Sequence, residues 1–130
     1  MKILIVDDHP GMARTLGRSL QRMGHEPVLL DDALDALRHV DDSIDAVILE
    51  VALPSLGGVE LARVMHRRHP GLQVAFYTAL ADDDPRFIAA TRLGYVLHKP
   101  WNRGELVEML DTLTTPAADA ALAEAMVCAA

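Results

Sequence analysis

A chain of 130 residues, 51% hydrophobic but only 4% aromatic, suits one domain whose core is built from Val, Leu, Ile, Ala and Met without disulfides or metal staples. Its formal charge of −7 argues against nucleic-acid binding by the domain itself, because phosphates reward clustered Lys and Arg. No apolar run approaches the roughly 18 residues that cross a bilayer, and Asp7-Asp8 cuts off any signal-peptide pattern, so a cytoplasmic protein with no membrane partner is expected.

Lys2-Ile3-Leu4-Ile5-Val6 reads as a buried strand that stops at Asp7-Asp8-His9-Pro10-Gly11. Adjacent carboxylates at a strand end repel each other unless a cation sits beside them; the plainer use of the pair is to cap the next helix. That helix carries Met12, Ala13, Leu16, Leu20 and Met23 on one side, Arg14, Arg18 and Arg22 on the other, and closes at Gly24. Pro27-Val28-Leu29-Leu30 is a second strand, placed at an edge because Pro27 lacks an amide donor. Asp31-Asp32 caps a helix burying Ala33, Leu34, Ala36, Leu37 and Val40, which ends near Asp41-Asp42-Ser43.

Ala46 to Leu49 is a short apolar run with the character of a strand buried on both faces, and Glu50 appears where it ends. Pro54 and Gly57-Gly58 break regular structure before a helix from about Gly58 to His69, with Val59, Ala62, Val64 and Met65 inward. Its basic end, His66-Arg67-Arg68-His69, suits the negative end of the helix dipole. His66 and His69 are spaced as a metal pair could be, but no third ligand is near them in sequence. Leu72 to Tyr77 forms a fourth strand ending in Thr78-Ala79, and Asp82-Asp83-Asp84-Pro85 starts a helix that runs to about Leu93. Tyr95-Val96-Leu97-His98 is a fifth strand closed by Lys99-Pro100. Asn102 with Glu105 reads as a capping box for a last helix burying Leu106, Met109, Leu110 and Leu113.

Five strands alternating with five helices imply right-handed crossovers and a parallel sheet covered on both faces. The ends of strands one, three, four and five then gather at one rim, bringing Asp7, Asp8, Glu50, Thr78 and Lys99 together. Lys99 is one of only two lysines beside ten arginines, which suggests a specific use for a compact ammonium.

These residues, in this order, resemble the receiver domains of two-component response regulators, over residues 1 to about 115. The resemblance rests on Asp7-Asp8, the segment Leu49-Glu50-Val51-Ala52-Leu53-Pro54 with Gly58 beyond it, Thr78-Ala79 and Lys99-Pro100. It implies a flavodoxin-like (βα)5 fold of strand order 2-1-3-4-5, and phosphoryl transfer from a histidine kinase to an aspartate ending strand three, with Mg²⁺. By resemblance Asp7, Asp8, residue 50 and the carbonyl of Ala52 surround the metal, Thr78 contacts the phosphoryl group and Lys99 pairs with it. The Lys99-Pro100 bond is often cis in the family. A histidine kinase or other phosphorelay protein and a downstream protein meeting the helix 4–strand 5–helix 5 face are the implied partners.

Two departures stand out. Glu50 occupies the phosphoacceptor position, and its extra methylene carries the carboxylate roughly an ångström too far for in-line transfer. Asp45 cannot replace it, since five strand residues span about 16 Å. Glu50 instead reaches toward where phosphoryl oxygens would sit, imitating the modified state with one charge in place of two. Second, the family's ring at the switch position is Val96 here, with Tyr95 one residue away and therefore on the other strand face.

A pseudo-receiver acting through protein–protein contact, and not as an enzyme, is the reading these departures favour. The alternatives are a receiver that still carries out Mg²⁺-dependent phosphotransfer, and a Mg²⁺-dependent phosphohydrolase or flavin carrier on the same fold. The last lacks a Gly-rich phosphate loop after strand one. Trp101, two residues past Lys99, is expected to report Mg²⁺ by its fluorescence. Residues 116–130 form an Ala-rich tail with Leu122, Ala125, Met126 and Ala129 on one helical stripe, read as fraying or as docking on a partner or in a homodimer. The single Cys128 in that tail cannot form an internal disulfide and fits a reducing compartment.

Overall fold

The computed structural model describes residues 1–114; the tail reading and Cys128 fall outside them. The chain alternates β1 (Lys2–Val6), α1 (Pro10–Arg22), β2 (Glu26–Leu30), α2 (Ala33–His39), β3 (Ala46–Glu50), α3 (Gly58–Arg68), β4 (Gln73–Thr78), α4 (Pro85–Thr91), β5 (Tyr95–His98) and α5 (Arg103–Leu113). The strands form one parallel sheet of order β2-β1-β3-β4-β5, with Pro27 on an edge strand as its missing amide requires.

Side chains alternate across each strand, so the sheet feeds two cores. Leu4, Val6, Val47, Leu49 and Phe76 pack beneath α2, α3 and α4. Ile3, Ile5, Ala46, Ile48, Ala75, Tyr77 and Leu97 pack with Ala13, Leu16 and Leu20 of α1 and with Leu106, Met109, Leu110 and Leu113 of α5. All five residues of β3 are buried, as expected for a central parallel strand.

Three predicted caps form. Asp32, Asp84 and Asn102 each accept a hydrogen bond from a backbone amide in the first turn of α2, α4 and α5, and Asn102 also donates its amide to Glu105. Two inward assignments need correction. Leu34 is 55% exposed and Val64 is only half-buried, while Leu61 is fully buried. The apolar stripe on these helices is narrower than the count of apolar residues suggests, because each helix rests only one face on the sheet. Helix boundaries also differ: α1 begins at Pro10, α2 stops at His39 and α4 at Thr91.

Gly58 shapes the approach to the site. A Cβ there would collide with the carbonyl of Glu50 and sit 2.9 Å from Cα of Val51, so only glycine lets α3 begin directly against the end of β3. The Gly58 amide then donates to the Val51 carbonyl at 2.9 Å.

Candidate functional site

The same alternation that divides the cores assembles the site. Ile3 and Ile5 on β1 lead to Asp7; Ala46 and Ile48 on β3 lead to Glu50; Ala75 leads to Tyr77; Tyr95 and Leu97 lead to Lys99. Glu50 pairs in register with Tyr77, and Tyr77 with Leu97. Four residues of one parity therefore meet at the carboxyl rim, on the side facing α1 and α5.

Their contacts are direct. Lys99 Nζ donates to Asp7 Oδ2 at 2.8 Å and to Glu50 Oε1 at 2.9 Å, with its side chain only 8% exposed. Tyr77 donates its hydroxyl to the same Asp7 oxygen at 2.5 Å, and the Lys99 ammonium lies 4.1 Å from the centroid of the Tyr77 ring, a cation–π distance. The other Glu50 oxygen accepts the Ala52 amide at 3.0 Å. Asp7 is 1% and Glu50 6% exposed, so both are buried charges that need these partners. The Lys99-Pro100 peptide is cis.

Burial alone would push the Asp7 carboxyl up. Hydrogen bonds from Lys99, Tyr77 and the His9 amide, with the Lys99 charge, outweigh it and hold the group below the usual carboxylate range. The Tyr77 phenol moves the other way, far above its ordinary value, through burial first and then its bond to Asp7 and the negative charges of Asp7, Glu50 and Asp8.

Neither leading acid caps α1. The cap residue is His9, which makes no side-chain cap, while Asp7 Oδ1 accepts the His9 amide at 3.0 Å. Asp8 is 31% exposed in its side chain, yet its Oδ1 is buried and accepts no hydrogen bond among the described residues. The donor atoms of Asp7, Asp8 and His9 all lie within 4.8 Å of one another, the only such group among the described residues. Glu50 does not join it. Its carboxylate accepts hydrogen bonds from Lys99 and from the Ala52 amide. His66 and His69 belong to no such group.

Thr78 is buried at the end of β4, on the opposite parity, and its hydroxyl accepts the Leu80 amide at 3.3 Å. Val96 packs on the same face, against the α2–α4 core. Tyr95 points the other way and donates its hydroxyl to Glu108 of α5 at 3.0 Å, as a one-residue displacement along a strand requires. Asp45 stands at the opposite rim, accepting the Lys2 amide at 2.8 Å. Two members of the site escaped the sequence reading. By sequence Tyr77 reads only as a strand residue and His9 only as part of a turn. The buried parity of Tyr77 beside a strand of acid-terminated partners was the available signal for the first.

The parallel sheet of this order is flavodoxin-like in its winding and carries buried acids and a lysine at its carboxyl rim. The family model for the response regulator receiver domain matches residues 3–111, and the chain belongs to that family. The transcriptional regulatory protein GlrR of Escherichia coli is 30% identical over 96% of this chain and 29% of its own length. The transcriptional regulatory protein TcrA of Mycobacterium tuberculosis is 34% identical over 88% of this chain and 46% of its own. The chain thus spans less than half of these regulators. Among solved structures, the response regulator protein TrrA of Thermotoga maritima, in complex with Mg²⁺-BeF, superposes with a TM-score of 0.72 at 27% identity, over 86% of this chain and 97% of that one. The signal receiver domain of an HD domain-containing protein from Pseudomonas fluorescens gives 0.77 at 25% identity, over 91% and 89%.

Receiver domains act in two-component signalling with histidine kinases and downstream effector domains, and typically bind Mg²⁺ at the phosphorylation site. The donor set here fits a divalent cation: two adjacent carboxylates, one of them with a buried oxygen that has no hydrogen-bond partner among the described residues. No helix among the described residues is long and apolar enough to cross a membrane.

Proposed function

We infer that this receiver is a pseudo-receiver, a protein-interaction module of a two-component phosphorelay whose output does not follow aspartyl phosphorylation. One observation carries this reading: both carboxylate oxygens of Glu50 are engaged, one by Lys99 and the other by the Ala52 amide. An acceptor must present a free oxygen in line with the incoming phosphorus, and a misplacement of about an ångström costs roughly a hundredfold in rate. Glu50 is one methylene longer than an aspartate, and each of its two oxygens already accepts a hydrogen bond.

The same two contacts give the site a standing negative charge on the ammonium and the loop amide that a transferred phosphoryl group would seek. Glu50 thereby holds Lys99 and the Val51–Ala52 backbone in one arrangement. Asp7 and Asp8 would hold Mg²⁺, whose chemistry when bound is to neutralise the clustered acids. Val96, with no ring to follow Thr78, supports an output that does not switch through that pair. The module would act in the cytoplasm by presenting its α4–β5–α5 face to a partner protein, as a binding component and not as an enzyme.

Incubation with Mg²⁺ and acetyl phosphate followed by intact-mass measurement tests this. The native protein should gain no phosphoryl mass, and Glu50→Asp should gain it. A stable gain in the native protein that Glu50→Gln abolishes would establish the opposite reading, a competent receiver phosphorylated on Glu50.

A further inference from the structure

We propose that the cavity between the end of α1 and the β5–α5 junction is a binding site for a small planar aromatic anion, held by Arg22 and Arg103 against the indole of Trp101. The cavity lies apart from the acid–lysine corner, and the proposal holds whether or not Glu50 accepts a phosphoryl group.

The cavity measures about 490 Å³, within the range of small-molecule sites, and is lined by Ser19, Arg22, Met23, Trp101, Arg103 and Leu106. Ser19 and Arg22 are three apart on α1 and so share one face of that helix, and Met23 is its cap residue. Across from them, Trp101 is set by its edge-on contact with the Tyr77 ring. Leu106 is only 4% exposed and belongs to the core between the sheet, α1 and α5. Thioether, indole and aliphatic groups thus supply the walls, the kind of surface that receives a flat ring.

Charge selects the guest. Arg38, Arg63 and Arg86 each find a carboxylate close by in sequence, as expected in a chain of formal charge −7. Arg22 and Arg103 are exposed and form no ion pair among the described residues. Helix α1 contains no Asp or Glu, and Glu105 gives one carboxylate oxygen to the Asn102 side-chain amide at 2.8 Å. One unpartnered arginine on a surface is ordinary. Two bordering the same apolar-walled cavity favour an anion over a neutral guest, because each planar guanidinium offers parallel donors that match a carboxylate or a phosphate. That match is shared by aromatic acids and by nucleotides.

Trp101 is the only tryptophan, so its indole N–H gives a single NMR resonance that reports the cavity. The test is titration with naphthoate, with naphthamide as its neutral isostere and with adenosine monophosphate as the phosphate-bearing counterpart, followed by that resonance and by calorimetry. Naphthoate should shift the resonance saturably and bind at least about tenfold more tightly than naphthamide, as charge-assisted hydrogen bonds require. Arg22→Gln and Arg103→Gln should each weaken naphthoate about five- to tenfold, while Arg14→Gln, on the same helix but outside the cavity lining, should leave it within about twofold. Thermal unfolding checks that these exposed-site variants fold. Tighter binding of the nucleotide than of naphthoate, with the same dependence on both arginines, would support the site and identify a phosphate as its anionic group; the reverse order would identify a carboxylate. Equal affinity for naphthoate and naphthamide would overturn the proposal, as would undiminished binding when Arg22→Gln and Arg103→Gln are combined. Equal weakening by Arg14→Gln would reveal a general charge effect and overturn it too. So would the absence of any saturable shift with either anion at millimolar concentration.

Discussion

The Tyr77 hydroxyl donates to Oδ2 of Asp7 at 2.5 Å, joining residues seventy positions apart in a corner that water does not reach. The phenol thus shares one carboxylate oxygen with Lys99. Removing only the hydroxyl, in Tyr77→Phe, keeps the ring in its core and under the ammonium. Such a hydrogen bond to a charged group contributes about 1.5–3 kcal/mol, so urea unfolding should show a loss in that range. An unchanged midpoint would mean that the phenol does not hold Asp7.

Lys99 is the only lysine or arginine within ion-pair distance of either buried carboxylate of the site among the described residues. Lys99→Met should cost about 3–5 kcal/mol, because it leaves Asp7 and Glu50 charged, buried and facing each other. Adding Glu50→Gln to that variant should recover part of the loss, which a double-mutant cycle in urea would measure.

Acid should unfold the metal-free protein partly through Asp7. Its folded value lies below the ordinary carboxylate value of 3.8, so between the two the unfolded chain binds more protons. The contribution is fully present above the unfolded value and is lost as pH falls through the folded one. Tyr77→Phe removes one cause of the depression, so its stability should fall less steeply across that window in chelator-containing buffer.

Gly58→Ala is predicted to destabilise by about 1–3 kcal/mol, because the added methyl meets the Glu50 carbonyl, a backbone atom that cannot swing aside. Gly71→Ala, where a methyl would meet nothing within 4 Å, is the matched control and should be much closer to neutral. Chemical shifts of the Ala52 amide should move in the first variant and not in the second.

Trp101 meets the Tyr77 ring edge-on, with centroids 6.2 Å apart, and Tyr77 bonds to Asp7. Cation binding at Asp7 and Asp8 should therefore change Trp101 emission, and Tyr77→Phe should diminish the response at equal occupancy. No change at saturating cation would break this link between the acid pair and the indole.

The sequence alone was enough for the architecture. Apolar runs of strand length, amphipathic helical stripes and the caps Asp32, Asp84 and Asn102 are local patterns, readable within one segment. Alternation along each strand also carried Asp7, Glu50 and Lys99 to one rim once the parallel winding was accepted. What the sequence could not supply was which atoms meet across strands. Leu34 and Val64 fit a helical stripe, yet the width of the surface each helix covers depends on its neighbours. Whether Glu50 reaches outward or turns back onto Lys99 and Ala52 is a rotamer decided by burial, and the tie from Tyr77 to Asp7 depends on two intervening strand registers. Local periodicity encodes a residue's face. The distance between faces contributed by four separate strands is set only when the sheet closes in its order and every buried charge must find a partner.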